Sequence, residues 1–125
     1  MRTAIVNKLK EITNFGSRCY QSFTAPTNVA KPYCTFKFSG EYSYPLNKKG
    51  SIIDLQVFIY CEPSTFSSLD SLEKSVRKKL HNAMLTTSGG RKFTVYYSMT
   101  QPDYFDDASN LFMKRVDFTI PLSRV

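Results

Sequence analysis

Apolar residues recur at two different spacings along the chain, which predicts both helices and strands. Residues 1–12 place Met1, Ile5, Leu9 and Ile12 on one stripe of a 3.6-residue period, and this predicts a short amphipathic helix. A second helix is predicted over residues 64–84, where Ser67 and Asp70 have the spacing of a capping box. The apolar face of this second helix comprises Leu69, Leu72, Val76, Leu80 and Ala83 or Met84.

Four segments instead alternate apolar and polar residues, as half-buried strands do. They are residues 32–44, 52–62, 92–99 and 111–122. The side chains predicted to point inward are Cys34, Phe36, Phe38, Ile53, Leu55, Val57, Ile59, Cys61, Phe93, Val95, Tyr97, Met99, Val116, Phe118 and Ile120. The turn-rich residues between the first two segments predict an antiparallel hairpin.

Two further segments are predicted to be loops. Residues 86–92, TTSGGRK, have the composition of a turn. Residues 100–110, TQPDYFDDASN, are acidic and are predicted to form a flexible loop.

These elements predict an α+β domain with the order α-β-β-α-β-β. We expect a small, mainly antiparallel four-stranded sheet with both helices packed on one face. A length of 125 residues predicts one domain spanning residues 1–125. No apolar run approaches the ~18 residues that a transmembrane helix needs, and the N-terminus lacks the pattern of a signal peptide. We therefore expect a protein made in the cytoplasm that does not enter a membrane.

The predicted outer side of the sheet is not uniformly polar. Tyr33, Phe58, Tyr60 and Tyr96 fall there among Thr, Gln, Lys and Asp residues. Scattered surface aromatic residues are common in strands, which is one interpretation. The other is that a partner subunit or a neighbouring protein covers this side.

A net charge of +7 raises the question of nucleic-acid binding. The basic run VRKKLH lies at the C-terminal end of the second predicted helix, where a solvated face and the helix dipole account for it. Basic and aromatic residues also interleave in KFTVYY and CTFKF, as they do in sheets that stack bases. A basic nucleic-acid-binding module is therefore an alternative, although no RNP-type motif is present.

Motifs for catalysis or metal binding are not apparent. His81 is the single histidine and has no evident carboxylate partner, and Gly89-Gly90-Arg91 does not have the form of a phosphate-binding loop. The aspartates of the acidic segment lack EF-hand spacing, and the three cysteines lack a CxxC motif. We expect no enzymatic activity, no cofactor and no metal, with Cys34 and Cys61 as buried structural thiols.

The connector RCYQSFTAPTNVAKPY, residues 18–33, has too many prolines for a helix and too many apolar residues for an ordinary loop. Pro26 and Pro32 favour an extended backbone. We expect an arm that lies along an edge of the sheet or on a helix. Tyr20 and Phe23 would anchor this arm on its own domain or on a neighbouring subunit.

The order of several short motifs resembles the tail completion or tail terminator proteins of long-tailed bacteriophages and prophages. The resemblance covers roughly residues 1–85, and each motif is individually weak. The matching pieces are Arg18 with Tyr20, Ala25-Pro26, Pro32-Tyr33, Ser39-Gly40-Glu41, IDLQVFIY and SLEKSVRKKL.

The resemblance implies a small subunit that assembles into a ring, usually a hexamer. Such a ring caps the finished tail tube, ends its polymerisation and joins the tail to the neck and connector proteins. It implies a place at the tail-neck junction of the virion, after assembly in the host cytoplasm, and no catalytic residues. Another neck component of the same fold is an alternative, and contact with DNA threading through the ring is a further expectation.

A ring requires an interface between two different patches of one surface. Basic residues at the predicted hairpin tip and glycine turn, and acidic residues in the predicted loop, are candidates for such patches, although ordinary solvated loops would look the same. The complete set of candidate interface residues is Tyr20, Phe23, Lys48, Lys49, Phe58, Tyr60, Arg91, Lys92, Tyr96, Asp103, Asp106 and Asp107.

Overall fold

The computed structural model describes residues 1–12, 15, 18–21, 32–43, 50–87, 89–107 and 110–123. Its two α-helices are α1 (Arg2–Lys10) and α2 (Leu69–Leu80), and a 3₁₀ helix (Pro63–Ser68) precedes α2. Its strands are β1 (Cys19–Gln21), β2 (Tyr33–Ser43), β3 (Gly50–Cys61), β4 (Ala83–Thr86), β5 (Lys92–Thr100), β6 (Tyr104–Asp106) and β7 (Leu111–Ser123).

The seven strands form one mixed sheet that curls into a half-barrel. The strand order is β1-β2-β3-β7-β5-β4, and β6 pairs with β7 beyond the end of β5. β1 runs parallel to β2, whereas every other pairing is antiparallel. The predicted antiparallel pairing of the first two strand segments, residues 32–44 and 52–62, is confirmed, since β2 pairs with β3 along most of its length.

The inner face of the sheet is built from in-register apolar side chains. Leu55 of β3 lies opposite Phe38 of β2 and Phe118 of β7. Two residues further along β3, Val57 lies between Phe36 and Val116 in the same way. Because side chains alternate along each strand, this register gathers the apolar positions of three strands on one side.

Both helices pack on this inner face. α1 contributes Ile5 and Leu9, which are fully buried. α2 contributes the buried residues Leu69, Leu72, Val76 and Leu80 of its predicted apolar face. The last predicted position of that face, Ala83 or Met84, lies beyond the end of α2. The buried core comprises Ile5, Leu9, Ile12, Phe15, Cys19, Cys34, Phe36, Leu55, Val57, Ile59, Cys61, Leu69, Leu72, Val76, Leu80, Phe93, Val95, Val116, Phe118 and Ile120.

The predicted fold class is wrong. The described residues are mostly β, with seven strands in a curled half-barrel sheet and two α-helices, instead of a four-stranded sheet in the order α-β-β-α-β-β. The additional strands are β1 in the predicted connector, β4 across the end of the predicted second helix and the start of the predicted turn, and β6 in the predicted acidic loop. Each has only three or four residues, which is too short for a period to be recognised in the sequence.

The second helix is shorter than predicted at both ends. It begins at Leu69, and its N-cap residue, Ser68, forms no side-chain capping hydrogen bond, so the predicted capping box does not start it. Beyond Leu80, His81 is extended and Asn82 has a φ of 61°, a left-handed conformation that ends a helix. Ala83 and Met84 therefore belong to β4 and pair with β5.

A bulge in β5 reverses the side on which its last residues lie. The register passes from Tyr97 opposite Phe118 to Met99 opposite Asp117, so Ser98 is an extra residue. Met99 was predicted to point inward with Tyr97, but it lies on the outer side and is 50% exposed.

We predict that Leu55→Ala lowers the free energy of unfolding by ~2–5 kcal/mol, because it removes a fully buried side chain from the central strand. Met84→Ala is the control, since this side chain is 69% exposed and its loss should change stability by less than ~0.5 kcal/mol. Urea unfolding of both variants measures the difference, and equal midpoints would contradict the inner assignment of Leu55.

Candidate interface on the outer face of the sheet

The outer face of the sheet is the side that points away from α1 and α2. Strand register aligns its side chains in rows that cross several strands. One row, which we call the tyrosine row, comprises Tyr33, Tyr60, Met113 and Tyr104 on β2, β3, β7 and β6. The rings of Tyr33 and Tyr60 stack with centroids 4.7 Å apart, and Tyr104 at the end of the row is 57% exposed. The row is thus a continuous, partly exposed apolar band.

The next row contains two more of the candidate residues. Tyr20 of β1 lies beside Thr35 of β2, which lies opposite Phe58 of β3. The ammonium group of Lys37 sits 5.6 Å from the centre of the Phe58 ring, a cation–π contact. Thr35 is buried, whereas Tyr20 and Phe58 are each partly exposed.

An ion pair occupies the middle of the outer face. Arg115 and Asp117, two residues apart on β7, bring Nε and Oδ1 within 3.0 Å. These two atoms are buried and poorly aligned for a hydrogen bond, whereas Nη2 of Arg115 donates to Oδ2 of Asp117 over 3.2 Å. The Gln101 amide also donates to Oδ2, at 3.4 Å. The central charges of the face are therefore neutralised within the chain.

Exposed apolar side chains lie at the β5 side of this ion pair. Tyr96 is opposite Thr119 and Met99 is opposite Asp117. A pocket of about 270 Å³ beside Met99 is also lined by Asp54 and Asp117. The outer face thus carries apolar groups on both sides of a neutralised centre.

The charged candidate residues do not lie together. Arg91 and Lys92 are at the turn between β4 and β5, where Gly90 has a φ of 87°. The acidic candidates are in and around β6, which follows the opposite end of β5. The basic and acidic groups are therefore separated by the length of β5.

The acidic segment is more ordered than predicted. Tyr104–Asp106 form β6 and pair with β7 instead of lying in a flexible loop. Asp103 lies 3.2 Å from the Lys114 ammonium group, which also contacts Asp70 of α2 at 2.8 Å. These contacts raise the pKa of Lys114, and the hydrogen bond from Lys114 lowers the pKa of Asp70. Asp103 is thus already paired within the chain.

The structure places four candidates, Tyr20, Phe58, Tyr60 and Tyr96, on the outer face. Phe23, Lys48 and Lys49 lie outside the described residues. Sequence reasoning missed Met99, because of the bulge, and Tyr104, because β6 was assigned to a loop. It also missed Met113, although alternation along the last predicted strand places this residue opposite to the core.

In the described part of the chain, no cluster of three His, Cys, Asp or Glu side chains is arranged to hold a metal ion. The Nδ1 atom of His81 accepts a hydrogen bond from the backbone N–H of Tyr97 at 2.9 Å. Neither helix within the described ranges has the length and apolar character needed to cross a membrane.

Comparison with known proteins identifies the fold. No protein family matches the sequence, and no curated protein is significantly similar to it. Among solved structures, the chain is similar to a chain from the virion of a native gene transfer agent particle, with a TM-score of 0.73. The match covers 98% of this chain and 94% of the other at 14% sequence identity. At this identity, the similarity shows a shared fold over nearly the whole of both chains.

We predict that the stability of the protein falls as the pH rises above about 10. Partial burial raises the pKa of Tyr33 and of Tyr60 above the ordinary value of 10.0. The folded protein therefore retains protons that the unfolded chain releases, so this contribution is present below pH 10 and is lost as the pH rises through the folded-state pKa values.

Spectrophotometric titration of tyrosinate, with thermal unfolding at each pH, measures both effects. The Tyr33→Phe/Tyr60→Phe variant should lose the late-titrating component and show a weaker fall in stability over this range. An unchanged alkaline profile in this variant would contradict the assignment.

Proposed function

We propose that the protein is a structural component of a phage-like virion. The observation that carries this proposal is the fold shared, over nearly the whole chain, with a chain from a gene transfer agent virion. The outer face of the sheet supports it, because a partly exposed aromatic band with a neutralised centre suits contact with other proteins.

Within the virion, we propose the role of a tail terminator. The protein would form a ring, a hexamer by the sequence resemblance, that caps the tail tube and joins the tail to neck and connector proteins at the tail-neck junction. Assembly would take place in the host cytoplasm. The protein would act by shape and contact, without a catalytic reaction, a cofactor or a metal.

The distribution of charge supports contacts between copies. A ring requires two different patches on each subunit. The basic turn with Arg91 and Lys92 and the acidic segment near β6 lie at opposite ends of β5, so they are two different patches of opposite charge. The acidic candidates on the other side of this contact are Asp103, Asp106 and Asp107.

Tyr20, Phe58, Tyr60 and Tyr96 are proposed to contact a neighbouring subunit or the tube, together with Met99, Met113 and Tyr104. Register places all of them on one face of the sheet. Such groups provide apolar contact area, while the oppositely charged ends would set the alignment of neighbours.

Binding of nucleic acid is less well supported. Several basic side chains contact carboxylates of the same chain: Arg77 lies 3.5 Å from Glu73 and Lys79 lies 3.1 Å from Glu11. Lys114 is likewise held between two aspartates. These contacts reduce the positive charge that is available to phosphates.

We predict that the protein forms a discrete ring, either alone or on meeting the ends of tail tubes. Native mass spectrometry measures the number of subunits in the assembly. Negative-stain imaging with tubes, assembled from the tube protein of the same virus or prophage, shows whether the protein associates with tube ends. A protein that stays monomeric and does not associate with tube ends would contradict the terminator role. Density at another position in the neck would favour the alternative connector component.

The Met99→Glu/Tyr104→Glu variant should assemble with an apparent affinity at least ~10-fold lower than that of the wild type, because it places charge on the outer face. Its control is Ser71→Glu, which adds a charge at an exposed position of α2. Both variants should unfold at the wild-type temperature. Equal assembly by the two would show that the outer face is not the interface.

We further predict weak binding to DNA at physiological salt and no sequence preference. A filter-binding titration at several salt concentrations measures this. Tight binding that falls steeply with salt would instead support the nucleic-acid-binding alternative.

A further inference from the structure

Two of the three cysteines face each other across the first pair of strands. Cys19 of β1 and Cys34 of β2 are direct partners in the parallel register. Their sulfur atoms lie 2.9 Å apart, and both residues are buried as free thiols. This thiol pair is not used by the contacts proposed above.

The geometry points to a reversible disulfide between Cys19 and Cys34, which would close residues 20–33 into a loop. Neighbouring strands lie ~4.8 Å apart, and Cα atoms at about that distance are within the range that a disulfide spans. The two sulfur atoms would need to approach by only ~0.9 Å to reach bonding distance.

Cys61 has no comparable partner. It lies two residues beyond Ile59, the residue of β3 that is opposite Cys34. Diagonal positions of this kind are separated by ~7–8 Å between Cα atoms, which is beyond the usual range of a disulfide. Its sulfur atom lies 4.0 Å from the hydroxyl group of Ser68. Cys61 therefore provides an internal control.

The environment identifies Cys19 as the nucleophile. The Cys34 thiol donates a hydrogen bond to the Cys19 sulfur, and this bond lowers the pKa of Cys19, with smaller contributions from the charges of Lys10 and Arg18. The same bond, together with burial, raises the pKa of Cys34. The thiolate is the reactive form of cysteine, so the pair has one activated and one resolving thiol.

Access to the buried pair requires that β1 opens. β1 has three residues and, among the described strands, lies at the edge of the sheet and pairs only with β2. The backbone N–H of Cys34 donates to the carbonyl of Arg18, and the Arg18 guanidinium donates to the carbonyl of Pro32. Short edge elements with few such bonds open at low free energy, without global unfolding.

The reaction is balanced with a small disulfide such as oxidised glutathione as the oxidant. The Cys19 thiolate attacks one sulfur of that disulfide, which forms a mixed disulfide and releases one glutathione thiolate. Cys34 then loses its proton and attacks the Cys19 sulfur, which releases the second glutathione. The two released thiolates take up the two protons from the protein thiols, so one disulfide is formed and one is reduced.

The crosslink would fasten the connector to the sheet. Reducing cytoplasm keeps such a pair open, whereas an oxidising exterior permits closure. The protein in a released particle would therefore differ covalently from the same protein during assembly. This consequence depends on the proposed function, whereas formation of the crosslink does not.

The experiment treats the purified full-length protein with oxidised glutathione and, in parallel, with dithiothreitol, followed by alkylation and trypsin. Residues 19–37 form one tryptic peptide that contains both Cys19 and Cys34, because Pro32 blocks cleavage after Lys31, while Cys61 lies in a different peptide. We expect the oxidised 19–37 peptide to escape alkylation and to lose about 2 Da, with Cys61 alkylated in both samples. The thermal midpoint should rise by roughly 5–15 °C and return with dithiothreitol.

The Cys61→Ala variant should reproduce both effects, and the Cys34→Ala variant should show neither. If Cys34→Ala does not fold, the wild-type peptide masses alone decide the question. The oxidation is repeated in urea below the unfolding transition, so that β1 opens. The proposal would be overturned if Cys19 and Cys34 were both alkylated after oxidation in urea. A stable glutathione adduct on Cys19 under that condition would overturn it as well.

Discussion

The register between β3 and β7 is the constraint on which the rest of the structure depends. These two central strands pair continuously from Gly50 opposite Ser123 to Cys61 opposite Phe112. A slip of one residue would turn every apolar side chain of one strand toward the outer face. The register is held because the inner positions, such as Leu55 and Phe118, are fully buried beneath the helices. The helices, in turn, are amphipathic, and their apolar residues are buried against this inner face.

The same register determines the composition of the outer face. When inner positions align, the intervening residues must align as well, and this produces the tyrosine row and the Arg115–Asp117 pair. The aromatic candidates therefore form a surface with a definite geometry instead of scattered exposed groups. A face of this kind is suited to burial against a second protein surface, which agrees with the proposed role in an assembled particle.

The connector is partly explained by the structure. Its described beginning, β1, lies along the edge of its own sheet, as the prediction of a docked arm proposed. Alternation then accounts for its mixture of residues, since Cys19 enters the core while Tyr20 lies on the outer face. An edge strand of three residues depends on few hydrogen bonds, so a covalent link between Cys19 and Cys34 would have a large effect on how firmly it is held.

The sequence by itself determined the long elements: the four longer strands, the stripe of α2 and the separation of inner from outer side chains. These features repeat over many residues, so a local period is enough to identify them. Only the tertiary structure decided the three short strands, the bulge that turns Met99 outward and the pairing of Cys19 with Cys34. Each of these depends on backbone hydrogen bonds to a separate strand, and three or four residues are too few to reveal that partner in advance.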